Sequence, residues 1–233
     1  MTFHGKIPGK IIWSHAVNDV RKLQRVLSNE EIDIVESDIL QNKNGEIICA
    51  HPPNLESDLK VDVLIEKLKE TNKGLKLDFK QPEVVLPVLN LLKKSSFENL
   101  IILNADILRG NNASASKFVP NIFISDSRSF FPYSILSLGW TTTTDHAYSS
   151  ENVSEMLGYL EGIQNVTFPI RACLIRESWE HLSRLLKNDT YTICIWNNEP
   201  VNAETLEWVR NSTDPRRVFY DFIDESNEST KLI

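Results

Sequence analysis

The sequence predicts an α/β fold, a single (β/α)8 TIM barrel taking in residues 1–233, with a polar tail from about 224. Three observations predict it. Short apolar runs of β type alternate with helix-period patterns from one end of the chain to the other, and the runs number eight. The 233 residues match the roughly 200–250 that such a barrel needs. No Gly/Ser/Pro-rich linker breaks the alternation, and no G-x-G-x-x-G follows the first two strands, which disfavours an open dinucleotide-binding sheet.

In order, the first strand is the apolar run 10–13, followed by a helix with Val20, Leu23 and Leu27 on one face. The second strand, 33–35, is extended after an Asn44-Gly45 turn by Ile47 and Ile48, and Val61, Leu64, Ile65 and Leu68 then repeat at the spacing of a helix. The third strand, 75–79, precedes the stripe Val84, Val85, Val88, Leu89 and Leu92. The fourth strand is 100–103, and the segment after it is less regular. The fifth strand, 134–138, leads to Val153, Met156, Leu157 and Leu160, and the sixth, 166–170, to Leu182, Leu185 and Leu186. The seventh strand is 191–196, the last helix carries Leu206 and Val209, and the eighth strand is 218–222.

Hydrophobic residues at 41% and charged residues at 24% are values of ordered globular domains, which excludes wholesale disorder. No stretch approaches the ~18 apolar residues of a membrane span, and the start Met1-Thr2-Phe3-His4-Gly5-Lys6 has no apolar core, so a cytoplasmic protein is expected. The 25 basic and 32 acidic side chains leave a net charge of −7, which argues against a broad nucleic-acid or anionic-membrane surface. Cys49, Cys173 and Cys194 are odd in number and lack C-x-x-C spacing; they read as buried thiols in a reducing compartment. Six N-x-S/T sites, at Asn112, Asn152, Asn165, Asn188, Asn211 and Asn227, mean little without a secretory signal.

In a barrel, reactive residues stand at the C-terminal ends of strands. Here the first strand ends in Ser14-His15-Ala16-Val17-Asn18, the second in Glu36-Ser37-Asp38, the extension in Ala50-His51-Pro52-Pro53 and the third in Asp78-Phe79-Lys80. Residues two apart share a strand face, so Glu36 points with Asp38 and Asp78 with Lys80. Adjacent strands lie about 4.8 Å apart, which brings the three acids within reach of one cation. Without a cation they would raise one another's pKa. Carboxylate oxygens suit a hard ion, Mg2+ first, with Ca2+ or Mn2+ as alternatives. His15 and His51 flank that position, and imidazole is the side chain suited to serve as both acid and base near neutral pH. Pro52 restricts the backbone of His51 to extended conformations.

These residues carry a family resemblance. Glu36-Ser37-Asp38-Ile39, Asn44-Gly45, Ile47-Ile48 and His51 resemble, in order and spacing, the E-x-D, K-D-G and H-D segment of glycerophosphodiester phosphodiesterases, and Leu77-Asp78-Phe79-Lys80 resembles their E-x-K. The arrangement is also similar to that of sphingomyelinase D. A closer resemblance covers nearly the whole chain: His15-Ala16-Val17-Asn18, Ala50-His51-Pro52-Pro53, the segment from Gly74 to Lys80, Leu103-Asn104-Ala105-Asp106-Ile107-Leu108 and Leu136-Ser137-Leu138-Gly139-Trp140-Thr141 resemble, in order, the signature segments of the menorin family. The resemblance implies a phospholipase-C-like phosphodiesterase barrel in which Glu36, Asp38 and Asp78 hold a divalent metal, His15 and His51 are the acid/base pair, and Lys80 contacts phosphate. It further suggests attack by a hydroxyl of the substrate itself, through a cyclic phosphate, on a glycerophosphodiester, a lysophospholipid or an RNA end. Two departures stand out. Ala16 replaces the arginine of the diesterases' His-Arg-Gly, and the stretch between His51 and Asp78 leaves no room for their inserted subdomain.

Other readings stay open. Glu36 and Asp38 could pair with Lys76 and Lys80 in a buried ion network, and Lys76 could belong to either set. Asn18 reads first as a helix cap, with a site role second. Asn104 and Asp106 share a face at the fourth strand's end and are even between structural and substrate-contacting roles. Arg171, Trp140 and Trp196 complete the candidate substrate contacts, and the polar stretch 139–150 is either a lid or a solvated linker. His4, His146 and His181 read as structural. Two alternative functions remain: a catalytically weak or inactive barrel serving as a protein-interaction module, which the Ala16 departure favours, and an acidic barrel enzyme of unrelated chemistry.

Overall fold

The computed structural model describes residues 3–198 and 201–222, so the polar tail expected from 224 lies outside the described residues. Eight parallel strands follow one another around the sheet: β1 (Trp13–Ser14), β2 (Ile34–Gln41), β4 (Gly74–Phe79), β5 (Ile101–Arg109), β6 (Ile135–Thr141), β7 (Val166–Arg171), β8 (Tyr191–Asn197) and β9 (Val218–Phe222). A short strand, β3 (Ile47–Cys49), folds back antiparallel on the end of β2, with Gln41 opposite Ile47. The turn joining them needs Gly45 at φ 82°, and Asn42 Oδ1 accepts from the backbone N–H groups of Asn44 and Glu46.

No backbone ladder joins β9 to β1 among the described residues, so the barrel is nearly rather than fully closed. Across that seam Gly9 N donates to Pro215 O at 2.8 Å, and the rings of Trp13 and Phe219 meet edge to face at 5.6 Å.

Helices cover the outside: α1 (Val20–Ser28), α2 (Val61–Lys69), α3 (Val85–Ser95), α4 (Pro120–Phe130), α5 (Ser150–Gly158), α6 (Ala172–Leu182) and α7 (Ala203–Ser212). Strand residues alternate between the two faces. Val35, Leu75, Leu77, Leu103, Leu136 and Ile193 pack outward against the helix stripes, including Leu64 and Leu68 of α2 and Val88 and Leu92 of α3. Inward residues change character along the barrel axis. At the lower end Trp13, Ile34, Ile102, Ile135, Cys194 and Phe219 form an apolar plug. One or two pleats further up, the same strand faces carry Glu36, Asp38, Lys76, Asp78, Asn104, Asp106 and Asp221.

Several boundaries differ from expectation. The first strand is two residues, because Pro8–Lys10 forms a 3-10 turn ahead of it. Leu182 and Leu185 do pack in the core, but the helix runs over Ala172–Leu182, burying Leu174, Ile175 and Ser178, and Leu185 belongs to a 3-10 continuation over Ser183–Lys187. The irregular segment before the fifth apolar run contains α4, begun by Pro120 at its first turn and burying Phe123 and Ile124. Cys49 and Cys194 are buried as expected, whereas Cys173, the second residue of α6, is exposed and not a buried thiol.

Candidate active site

The upper ends of the strands surround a cavity of about 290 Å3. His15, Asp38, His51, Asp78, Lys80 and Asp106 line it, with Lys76, Asn104, Pro169, Trp196 and Asp221.

Strand register places the acids. Asp38 on β2 is directly opposite Asp78 on β4, and Glu36 opposite Lys76. An oxygen from each of Glu36, Asp38 and Asp78 lies within 4.8 Å of the others. The set fits a hard divalent cation, since every donor is a carboxylate oxygen. Glu36 adds a specific mark: Oε2 accepts from Ala16 N at 2.6 Å, while Oε1 is buried with no hydrogen-bond partner. A buried carboxylate oxygen without a partner is what a cation would satisfy. Burial, reinforced by Asp38, pushes the Glu36 carboxyl up to about 7.

Lysines and amides neutralise and orient the other two acids. Lys80 Nζ bridges Asp38 and Asp78, 2.8 Å from an oxygen of each. Asn18 Nδ2 donates to Asp38 Oδ2 at 2.6 Å, and its Oδ1 accepts from Asp38 N and Ser37 Oγ. Burial works against the charge of Asp38, but Lys80, His51 and Asn18 outweigh it and hold the carboxyl below its usual range. Asn104 Nδ2 donates to Asp78 Oδ1 at 2.7 Å, and Ser137 Oγ donates in turn to Asn104 Oδ1.

Asp221, on the last strand, anchors the opposite side. It is fully buried, with Oδ1 2.9 Å from His15 Nδ1 and Oδ2 2.8 Å from Lys76 Nζ. His15 Nδ1 also lies 3.4 Å from Glu36 Oε2. Burial disfavours the imidazolium, yet Asp221 and Glu36 overcome it and raise His15 to about 9. His51 stands exposed at the rim with Nδ1 at 2.5 Å from Pro52 O. That bond uses the Nδ1 proton and leaves Nε2 as acceptor.

The structure thus gathers His15, His51, Glu36, Asp38, Asp78, Lys76, Lys80, Asn104, Asp106 and Trp196 around one cavity. Arg171, expected as a substrate contact, is not among the residues lining the cavity; its guanidinium lies 5.3 Å from the Trp196 ring, with Nε buried and without a hydrogen-bond partner. Trp140 departs from expectation. It is 1% exposed, packs edge to face on Tyr148 and against Phe168, and faces the helices, so it does not reach the cavity. Its neighbour Gly139 holds the inward position. Asn18 departs as well: the cap of α1 is Asp19, which accepts from Lys22 N, leaving Asn18 to orient Asp38. Lys76 forms its ion pair with Asp221, while still acting electrostatically on Glu36 of β2. Ala16, at the position of the diesterases' arginine, adopts φ 51° and presents its N–H to Glu36. Asp221 went unnoticed in the sequence, although a lone acid between Tyr220 and Phe222 at the end of an apolar strand is the kind of signal that singled out Glu36.

Comparison with known proteins bears on the family and the fold. Residues 9–227 match the Menorin N-terminal domain. Protein FAM151B of Homo sapiens is 35% identical over 238 residues, covering 95% of this chain and 86% of that protein. A candidate glycerophosphodiester phosphodiesterase from Galdieria sulphuraria superposes with a TM-score of 0.59 at 11% identity, covering 92% of this chain and 94% of that one. The glycerophosphodiester phosphodiesterase from Agrobacterium tumefaciens gives 0.56 at 12% identity, with coverage of 91% and 95%. At such identity the likeness bears on the fold, which is a glycerophosphodiesterase-like barrel.

Proposed function

The chain belongs to the menorin family, and we propose that on its phosphodiesterase-like barrel it is a metal-assisted phosphodiesterase with His15 and His51 as acid and base. The observation that carries this reading is the meeting, in one cavity, of both histidines with Asp38 and Asp78 over the buried Glu36. Glu36, Asp38 and Asp78 would hold a divalent cation, Mg2+ in the first place. When bound, the ion supplies charge neutralisation at the non-bridging phosphate oxygens.

The chain's own residues do the rest. His51 Nε2, left as the acceptor nitrogen because Nδ1 donates to Pro52 O, takes the proton from the attacking hydroxyl. His15, turned by Asp221 at Nδ1, gives a proton from Nε2 to the leaving oxygen. Lys80 contacts phosphate while steadying Asp38 and Asp78. A substrate hydroxyl beside the phosphodiester is the favoured nucleophile, giving a cyclic phosphate that water then opens. Glycerophosphodiesters, lysophospholipids and RNA ends carry such a hydroxyl.

The test is phosphorus NMR with Mg2+ on a panel of one glycerophosphodiester, one lysophospholipid and a short RNA ending in a cyclic phosphate. Wild type should consume one signal and stop on chelation, and His51→Ala should fold normally and turn over about 10²–10⁴ more slowly. Full activity in His51→Ala would remove the acid/base assignment. One observation favours a second reading, a barrel that serves as a protein-interaction module: Lys80 spans Asp38 and Asp78 and compensates both carboxylates itself. Failure to consume any substrate with Mg2+, Mn2+ or Ca2+ would turn the choice toward it.

A further inference from the structure

Granting the phosphodiester reading, one acid of the cavity has no task. Asp106 lines the cavity, yet its carboxylate makes no hydrogen bond or ion pair with any described residue. The other acids differ. Glu36 is bonded to Ala16, Asp38 to Asn18 and Lys80, Asp78 to Asn104 and Lys80, and Asp221 to His15 and Lys76. Both lysines of the cavity are therefore committed elsewhere.

The backbone around Asp106 is shaped for it. The ladder between β5 and β6 shifts register between Asp106 and Leu108, and such irregularities re-aim side chains beside active sites. Directly across on β6 is Gly139, where any Cβ would overlap Asp106 Oδ1 and come within 3.0 Å of Pro169 Cγ. Glycine there lets the carboxylate lie across β6. The pairing of β6 with β7 ends at Ser137 and Thr167, so the wall beyond is made by Asp106, Pro169 and Trp196, not by a continuous ladder.

Lys80 and Lys76 lie within electrostatic reach of Asp106 but pair with other acids, so its carboxyl oxygens are open to accept from a hydroxyl and are poorly suited to phosphate. Asp106 therefore faces the alcohol portion of a phosphodiester, not its phosphoryl group. We infer that Asp106, given room by Gly139, is a specificity residue that accepts a hydrogen bond from a free hydroxyl on the substrate's alcohol portion, selecting polyol or ribose esters over plain alkyl esters.

Equilibrium binding to the whole protein in Mg2+, by titration calorimetry, tests this without turnover. Two pairs of product-like ligands differ by hydroxyls alone: glycerol 3-phosphate with n-propyl phosphate, and adenosine 3′-phosphate with its 2′-deoxy form. Wild type should prefer the hydroxyl-bearing member of at least one pair by roughly 10- to 100-fold, the range for a hydrogen bond to a charged acceptor. The pair that shows the preference identifies the alcohol. Asp106→Ala should bind both members at the weaker affinity, and it should unfold no earlier than wild type, because Asp106 has no partner to lose. Equal binding within both pairs by wild type, or an undiminished preference in Asp106→Ala, would overturn the assignment while leaving the phosphodiester reading intact. If none of the four phosphates binds, that reading falls and this one with it.

Discussion

Asp221→Asn keeps the volume of a fully buried side chain and deletes the charge that Lys76 and His15 both face. Lys76 is itself buried at 4% exposure, with Nζ 2.8 Å from Asp221 Oδ2. At an effective dielectric of about 20, a pair at that distance attracts by about 6 kcal/mol. Desolvation of the two ions offsets much of this in the intact protein. The variant suffers more than the net value of the pair, because it leaves the ammonium buried beside a neutral amide. Breaking buried pairs from one side destabilises by about 3–5 kcal/mol, and we expect Asp221→Asn to fall in that range. Urea unfolding followed by tryptophan fluorescence reads it as a lower midpoint at unchanged slope. Adding Lys76→Met removes the stranded charge and keeps an apolar chain against the Trp13 ring, which Lys76 Nζ now covers at 5.6 Å. The double variant should regain at least half of the loss. A loss under about 1 kcal/mol in the single variant, or a double variant no better than the single, would refute the account of a charge network holding the barrel mouth.

Other consequences follow from the same geometry. With His15 raised to about 9 from an ordinary 6.5, its protonation stabilises the metal-free fold fully below pH 6.5, and that share, about 3 kcal/mol, is lost as pH rises through 9. Imidazole NMR should place the midpoint near 9 in wild type and clearly lower in Asp221→Asn. Asn18→Ala frees Asp38 Oδ2 from its donor and should weaken Mn2+ binding, read by electron paramagnetic resonance, by about 10- to 100-fold with the fold retained. Of the three thiols, Cys173 alone should react with a disulfide reagent in the native protein, since Cys49 and Cys194 are buried and burial pushes Cys49 up to about 12. Three equivalents of rapid reaction would contradict the described packing.

The barrel was legible because buried parallel strands must be apolar and separated by amphipathic helices, and that rhythm survives in a single sequence. The clustering of Glu36, Asp38 and Asp78 was legible because residues two apart on a strand share a face and neighbouring strands bring their ends together. Trp140 lies one residue off the inward face: Ser137 and Gly139 point inward, so strand alternation sends Trp140 outward, a parity the sequence itself carries. Asn18 and Asp19 are two good capping residues in a row, and only three-dimensional contact shows which one caps. The pairing of Asp221 with His15 was out of reach, since nothing local relates residues separated by 206 positions. Helix α6 was misplaced because its start, Arg171-Ala172-Cys173, carries no capping signal and its side chains make no cap.

The same separation orders events during synthesis. A nascent chain brings His15 out of the ribosome first, then Glu36, Asp38, His51, Asp78 and Lys80, all within the first 80 residues. The acidic centre can therefore assemble on the early strands. His15 receives its anchor only when β9 arrives, because the seam between β9 and β1 is fastened by side chains and a few loop contacts, with no described ladder. Until translation reaches Asp221, Lys76 lacks its counter-ion and His15 its orienting carboxylate. The anchoring of His15 and Lys76 thus waits on β9, the last of the described strands.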